Sequence, residues 1–155
     1  MTNDPWQSPR LIGHAACLAQ SYQRFTGREL LPPGTDARDL AQRIFHAPFV
    51  VVSHGTEPDP VLNYGNATAL ALWEMPWDEL TRTPSRLTAE APQREERARL
   101  LAAVTANGFI DDYAGIRISK SGRRFRIAQA TVWNLVDANG QPCGQAATFR
   151  DWRFL

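Results

Sequence analysis

The chain predicts an α+β fold: a five-stranded antiparallel sheet with short helices on one face and an N-terminal helical cap. Three observations carry this. Helical periodicity runs through the N-terminal part, two short strands and three helices fill the middle, and three longer strands close the chain. Strands in runs, split by helices rather than alternating with them, favour an antiparallel sheet with its helices gathered on one side. At 155 residues the chain fits one core of useful size, with 1–47 read as a helical extension or cap and 48–155 as the core.

Each element has a local reason. Ser8-Pro9 is a helix start, serine capping and proline at the first helical position. Leu11, Ile12, Ala15, Leu18, Ala19, Tyr22 and Phe25 then recur on one helical face until Gly27. Asp36 caps a second helix carrying Leu40, Ala41, Ile44 and Phe45, which Pro48 stops. The period then changes. Phe49–Ser53 and Val61–Tyr64 read as strands, and Asn66 suits the cap of a short helix that Pro76 restarts as another. Gln93–Asn107 is a helix with Leu100, Leu101 and Val104 inward, closed by Gly108; its Arg94, Glu95, Glu96, Arg97 and Arg99 read as a solvated face. Strands at about 109–119, 123–136 and 143–152 follow, joined by Ser121-Gly122 and by Asn139-Gly140, a strong hairpin signal.

Seventeen basic and 16 acidic residues leave a net charge of +1, which supplies no general pull toward nucleic acid or anionic lipid. Cys17 and Cys143 form no metal-ligand pattern, and a reducing cytoplasm is the expected compartment. The first residues lack a secretion-signal pattern, and the longest aliphatic run, Val50–Val52, is too short to span a bilayer.

The strand–Asn–helix–turn–helix order from Val61 to Leu80 resembles the start of a PAS domain. A narrower resemblance spans nearly the whole chain. Phe49-Val-Val-Val-Ser-His-Gly, Asn63-Tyr-Gly-Asn, Pro84-Ser-Arg, Arg94-Glu-Glu-Arg, Gly108-Phe-Ile-Asp-Asp-Tyr, Gly115-Ile-Arg-Ile, Val132-Trp-Asn and Gly144-Gln-Ala-Ala-Thr-Phe together resemble the MEKHLA domain family, in its stand-alone bacterial form. That resemblance implies a PAS-like fold with a sensory or regulatory role. It supplies no catalytic residues and names no cofactor.

A PAS-like sheet walls a pocket beneath its short helices. Strict alternation puts Phe125, Ile127, Gln129, Thr131 and Trp133 on one face of the fourth strand, and Gln145, Ala147 and Phe149 on one face of the fifth. Analogy with flavin-binding relatives turns these sets, with Tyr64, toward the pocket. Gln129 and Gln145 would orient a ligand there, or simply bond locally inside a filled core. The opposite set, Ala128, Ala130, Val132, Ala146 and Thr148, needs cover from the N-terminal helix or from a second subunit. On the third strand hydrophobicity favours Ile116 and Ile118 inward and Arg117 outward, whereas the flavin-binding relatives point Arg117 inward. Arg86 and Glu90 are expected to pair across a loop over the pocket entrance.

Other chemistry finds little support. The reactive Asn-Cys-Arg-Phe motif of light-sensing PAS domains is absent, and the long helix lacks the histidine used by haem-binding ones. His14, His46 and His54 have no metal-ligand spacing, so no metal site is expected. Asp111-Asp112 would point to opposite faces, and Ser53-His54 is poor geometry for nucleophile and base. Lys120, Arg123, Arg124 and Arg126 form a basic hairpin tip, read as a solvated turn. The expectation is a non-enzymatic module that binds a small, mostly apolar molecule or signals through a protein partner. The alternative is a ligand-free homodimerisation or partner-docking domain; a small enzyme on the same fold comes last. Neither nucleic acid nor membrane is an expected partner.

Overall fold

The computed structural model describes residues 4–89 and 91–155, the side chains of 91–94, 96 and 97 excepted. A 3-10 turn at Pro5–Gln7 leads into α1 (Pro9–Thr26) and α2 (Ala37–Phe45). Strands β1 (Val50–His54) and β2 (Leu62–Gly65) precede α3 (Ala67–Trp73), α4 (Trp77–Leu80), a 3-10 turn (Ser85–Thr88) and α5 (Ala91–Asn107). Strands β3 (Phe109–Ile118), β4 (Arg124–Val136), β5 (Pro142–Phe149) and β6 (Asp151–Phe154) complete the chain. The caps are the expected ones. Ser8 accepts from Leu11 N–H at 3.2 Å and Asp36 from Asp39 N–H at 2.8 Å, and Gly27 ends α1 at φ 72°.

The sheet runs β2-β1-β5-β4-β3 with every pairing antiparallel, and β6 pairs with β4. It has six strands rather than five, because the last predicted strand breaks at Arg150. Its two halves face the same partner: Thr148 pairs with Thr131 and Asp151 with Ala128.

Asn66 ties three segments together. Fully buried, its side-chain oxygen accepts from Ala69 N–H, capping α3, and from Val51 N–H, both at 3.1 Å. Its amide nitrogen donates to Ile44 O at 3.1 Å and to Phe49 O at 2.8 Å. All four hydrogen-bonding positions of the amide are therefore used, on the end of α2, on β1 and on α3.

Two apolar clusters sandwich the sheet. The inner one joins Trp73 and Val104 to Val50, Tyr113, Phe125, Ile127, Ala130, Val132 and Phe149. The outer one joins Leu11, Ala15, Leu18 and Tyr22 of α1 and Ile44 and Phe45 of α2 to Val51, Tyr64, Trp133, Leu135 and Ala146. Thus α1 covers the outer face of its own sheet. Trp133 anchors it, donating from Nε1 to Leu18 O at 3.2 Å and meeting the Tyr22 ring edge-on at 5.0 Å. Ser21 Oγ accepts from Val136 N–H at 3.0 Å, and Cys17 Sγ lies 3.8 Å from Cys143 Sγ.

Strict alternation fails at Gln129. This residue takes φ 52°, a left-handed conformation costing a non-glycine residue about 1–2 kcal/mol. The matching break at Arg150 leaves the ladder open between Thr131↔Thr148 and Ala128↔Asp151. Inward facing therefore passes from Phe125 and Ile127 to Ala130 and Val132, while Trp133 and Leu135 turn outward.

Two outcomes follow for this architecture. Asn66→Ala leaves buried N–H and C=O groups unpaired on three segments and should cost about 3–5 kcal/mol by urea denaturation. Mild oxidation with diamide should join Cys17 and Cys143 within one chain, each thiol losing a hydrogen to the diazene. Intact mass spectrometry and non-reducing electrophoresis should then find a monomer; a disulfide-linked dimer would put α1 on a neighbouring sheet.

Candidate functional site

Between the inner face of the sheet and the α3–α5 layer lies a cavity of about 60 Å³. Its floor is Val52, Ile127, Ala130, Val132, Gln145, Ala147 and Phe149, with Tyr113 and Arg117 on the β3 side. Its roof is Trp73, Ser85, Thr88, Leu100 and Leu101. Trp73 is held firmly: its ring meets Phe125 at 5.5 Å and Phe149 at 6.1 Å, and its carbonyl accepts from Lys120 N–H at 3.1 Å. Beside it Glu74 accepts from the Ser119 and Ser121 hydroxyls, which hold its carboxyl below the usual range. Lys120 pairs with Glu79 at 2.8 Å, so the basic hairpin tip docks on α4.

Arg117 points inward, against the hydrophobicity argument. It is only 7% exposed and donates to Tyr113 Oη at 2.7 Å and to Ile116 O at 3.3 Å. Its guanidinium carbon lies 5.1 Å from the centre of the Tyr113 ring. Gly115 makes the room: a Cβ there would sit 3.0 Å from Tyr113 Oη and 3.5 Å from Arg117 Nη1. Ile116 and Ile118 are consequently the half-buried pair.

Of the residues expected around the pocket, Ile127, Gln145, Ala147 and Phe149 line this cavity. The others stand elsewhere. Gln129 is exposed at the bend, while Thr131 and Trp133 lie beyond it with their facing reversed. Tyr64 belongs to the outer cluster, because the irregularity between Ser53 and His54 pairs it with outward Ser53. There it packs against His14 at 5.5 Å and Trp77 at 5.7 Å, and burial pushes its phenol well above the usual range. Arg86 pairs with Asp59 at 3.1 Å, both groups about half exposed, a bridge worth under about 1 kcal/mol. Its expected partner Glu90 lies outside the described residues. Alternation alone could not find Arg117, Trp73 or Tyr113; for the first, the likeness to flavin-binding relatives points inward as the structure does, and Gly115 two residues before it is a local signal.

Gln145 sits where the cavity meets an open groove of about 610 Å³ that also includes Gly55, Pro60, Gly108 and Pro142. Its Nε2 lies 2.9 Å from Asn134 Oδ1 and 3.0 Å from Thr105 Oγ1, and Asn134 Nδ2 donates to Val104 O at 2.9 Å. These amides clamp the end of α5 to β4 and β5. On the reverse side of the same floor, Ser53 Oγ donates to Asn63 Oδ1 at 2.5 Å and lies 2.9 Å from His14 Nε2 of α1. A hydroxyl has one proton, so His14 is the donor in that contact.

Residues 12–154 match the MEKHLA domain. The chain belongs to the MEKHLA domain family. Curated relatives include the homeobox-leucine zipper proteins ATHB-14 and ATHB-9 of Arabidopsis thaliana. ATHB-14 is 24% identical over 154 residues and ATHB-9 27% over 155. Each match covers 96% of this chain but only 18% of the plant protein, so the domain is a small part of those relatives. Among solved structures, the PAS domain of a Colwellia psychrerythraea protein aligns with TM-score 0.63 at 13% identity, covering 76% of this chain and 95% of that one. An RNA-binding light-oxygen-voltage receptor aligns with TM-score 0.64 at 18% identity, over 78% of this chain and 36% of the other. At these identities the likeness is one of fold, and the MEKHLA domain has a PAS-like α+β fold. Among the described residues no helix is long and apolar enough to cross a membrane.

The His14 contact gives a pH dependence. Burial, aided by Arg10, lowers the His14 pKa from 6.5 to about 4. Below pH 6.5 the unfolded chain takes up a proton that the folded chain refuses until about pH 4. Acidification across that window should cost wild type about 1–3 kcal/mol more than His14→Gln in urea denaturation. Parallel losses in the two proteins would contradict this.

Proposed function

We propose that this MEKHLA domain is a PAS-like sensory or regulatory module, acting in the cytoplasm without chemistry of its own. A small molecule occupies the cavity, and the N-terminal helices on the other side of the sheet read its presence. One observation carries the reading: a single sheet separates the cavity from the cap, and the same strands serve both. In β1, Val52 and Ser53 line the cavity while Val51 packs on the cap side and the Ser53 hydroxyl meets His14; in β5, Ala147 and Ala146 both border the cavity, and Ala146 also packs in the cap-side cluster. A change in floor packing is thereby felt within one residue's thickness of α1. The ligand biases the cap only by its difference in affinity for the two arrangements. Two free thiols and no cysteine framework fit a reducing compartment.

Native mass spectrometry of freshly purified protein, set against its denatured mass, tests this. A retained small molecule, lost from a variant with Ala130→Leu and Ala147→Leu filling the cavity, is the expected outcome. A bare chain that is dimeric throughout would instead assign the domain to docking.

A further inference from the structure

We propose that the cavity takes a small monocarboxylate, such as acetate or propionate, held through its charge by Arg117. The proposal rests on the ligand-binding reading above and names the class of ligand.

The starting point is a buried charge with no counter-charge among the described residues. Arg117 is almost fully buried against the cavity, yet among the described residues no carboxylate lies within 4.0 Å of its guanidinium. Its two hydrogen bonds go to neutral oxygens, Tyr113 Oη and Ile116 O. A guanidinium carries five N–H donors, so these contacts leave most of its capacity open. A buried cation without a counter-charge is costly, and an anion in the cavity removes that cost.

Two more groups point the same way. Trp73 lines the same cavity and is 3% exposed, and its Nε1 donor finds no acceptor among the described residues. Tyr113 Oη accepts from Arg117 and keeps its own proton to give. The wall thus offers three kinds of donor, and a carboxylate is the small group that only accepts and can take a guanidinium fork.

Size and charge narrow the class. A cavity of about 60 Å³ is small, which favours a carboxylate with a very short tail. Ile127, Val132 and Phe149 offer that tail an apolar wall. One guanidinium balances one negative charge; phosphate or a dicarboxylate would bring a second, uncompensated one into the cavity.

Isothermal titration of the full chain with sodium propionate, propionamide and inorganic phosphate, at equal ionic strength, tests this. Propionate should bind at least about tenfold more tightly than propionamide, its neutral isostere. Arg117→Met should abolish that preference, and Arg117→Lys should retain part of it. The wild-type comparison decides the matter even where a variant fails to fold. Equal binding of propionate and propionamide would overturn the carboxylate assignment and leave the cavity reading standing. Phosphate binding as tightly as propionate would overturn the choice of a monocarboxylate. Silence from all three probes, with no small molecule retained by the purified protein, would overturn both the assignment and the reading beneath it.

Discussion

The fold turns on one buried amide. Asn66 sits where the helical N-terminal part, the first strand and the roof helices meet, and it bonds to all three. Its cap sets the direction in which α3 leaves the sheet, and α3 brings Trp73 over the cavity. Its two donor bonds hold the end of α2 and the entry to β1, which sets where the cap layer begins. An aspartate would present only acceptors to the carbonyls of Ile44 and Phe49 and would bury a charge, so the geometry asks for an amide.

The sheet built on this joint is useful because it is irregular. The Gln129 bend lets β4 offer Ile127, Ala130 and Val132 to the cavity while Trp133 and Leu135 lock α1 from behind. The irregularity beside His54 does the same for β2, sending Tyr64 to the cap. In β3, Gly115 allows Tyr113 and Arg117 to stack on the inner side. Gly144, at φ 147°, lets β5 approach β1: a Cβ there would fall 2.1 Å from His54 O. Each departure adjusts which side chains share a space, and together they make one wall serve two layers.

This explains what could be read from the sequence. Caps and turns are local, so Ser8, Asp36, Asn66 and Asn139-Gly140 announced the helix starts and the hairpin that the structure contains. The fold class and most element bounds followed from them. Facing is not local. Period two assumes an unbroken pleat, and Gln129 breaks it with no glycine or proline to signal the fact. Thr131 and Trp133 therefore face away from the expected side, and Tyr64, expected at the pocket by analogy, pairs with Ser53 and packs in the cap-side cluster. Arg117 defied the hydrophobic ordering because its cost depends on its stacking on Tyr113 and on its hydrogen bonds to Tyr113 Oη and Ile116 O, which a hydropathy pattern does not contain.

The account stands on the claim that filling the cavity is felt across the sheet by the N-terminal helices. Hydrogen exchange on the full chain, read by mass spectrometry with the cavity empty and with it filled, addresses this directly. The account predicts a change in protection along α1, centred on the turns around His14 and Leu18 that touch Ser53 and Trp133. Changes confined to α3, α5 and the inner-face strands, with α1 unaltered, would contradict it.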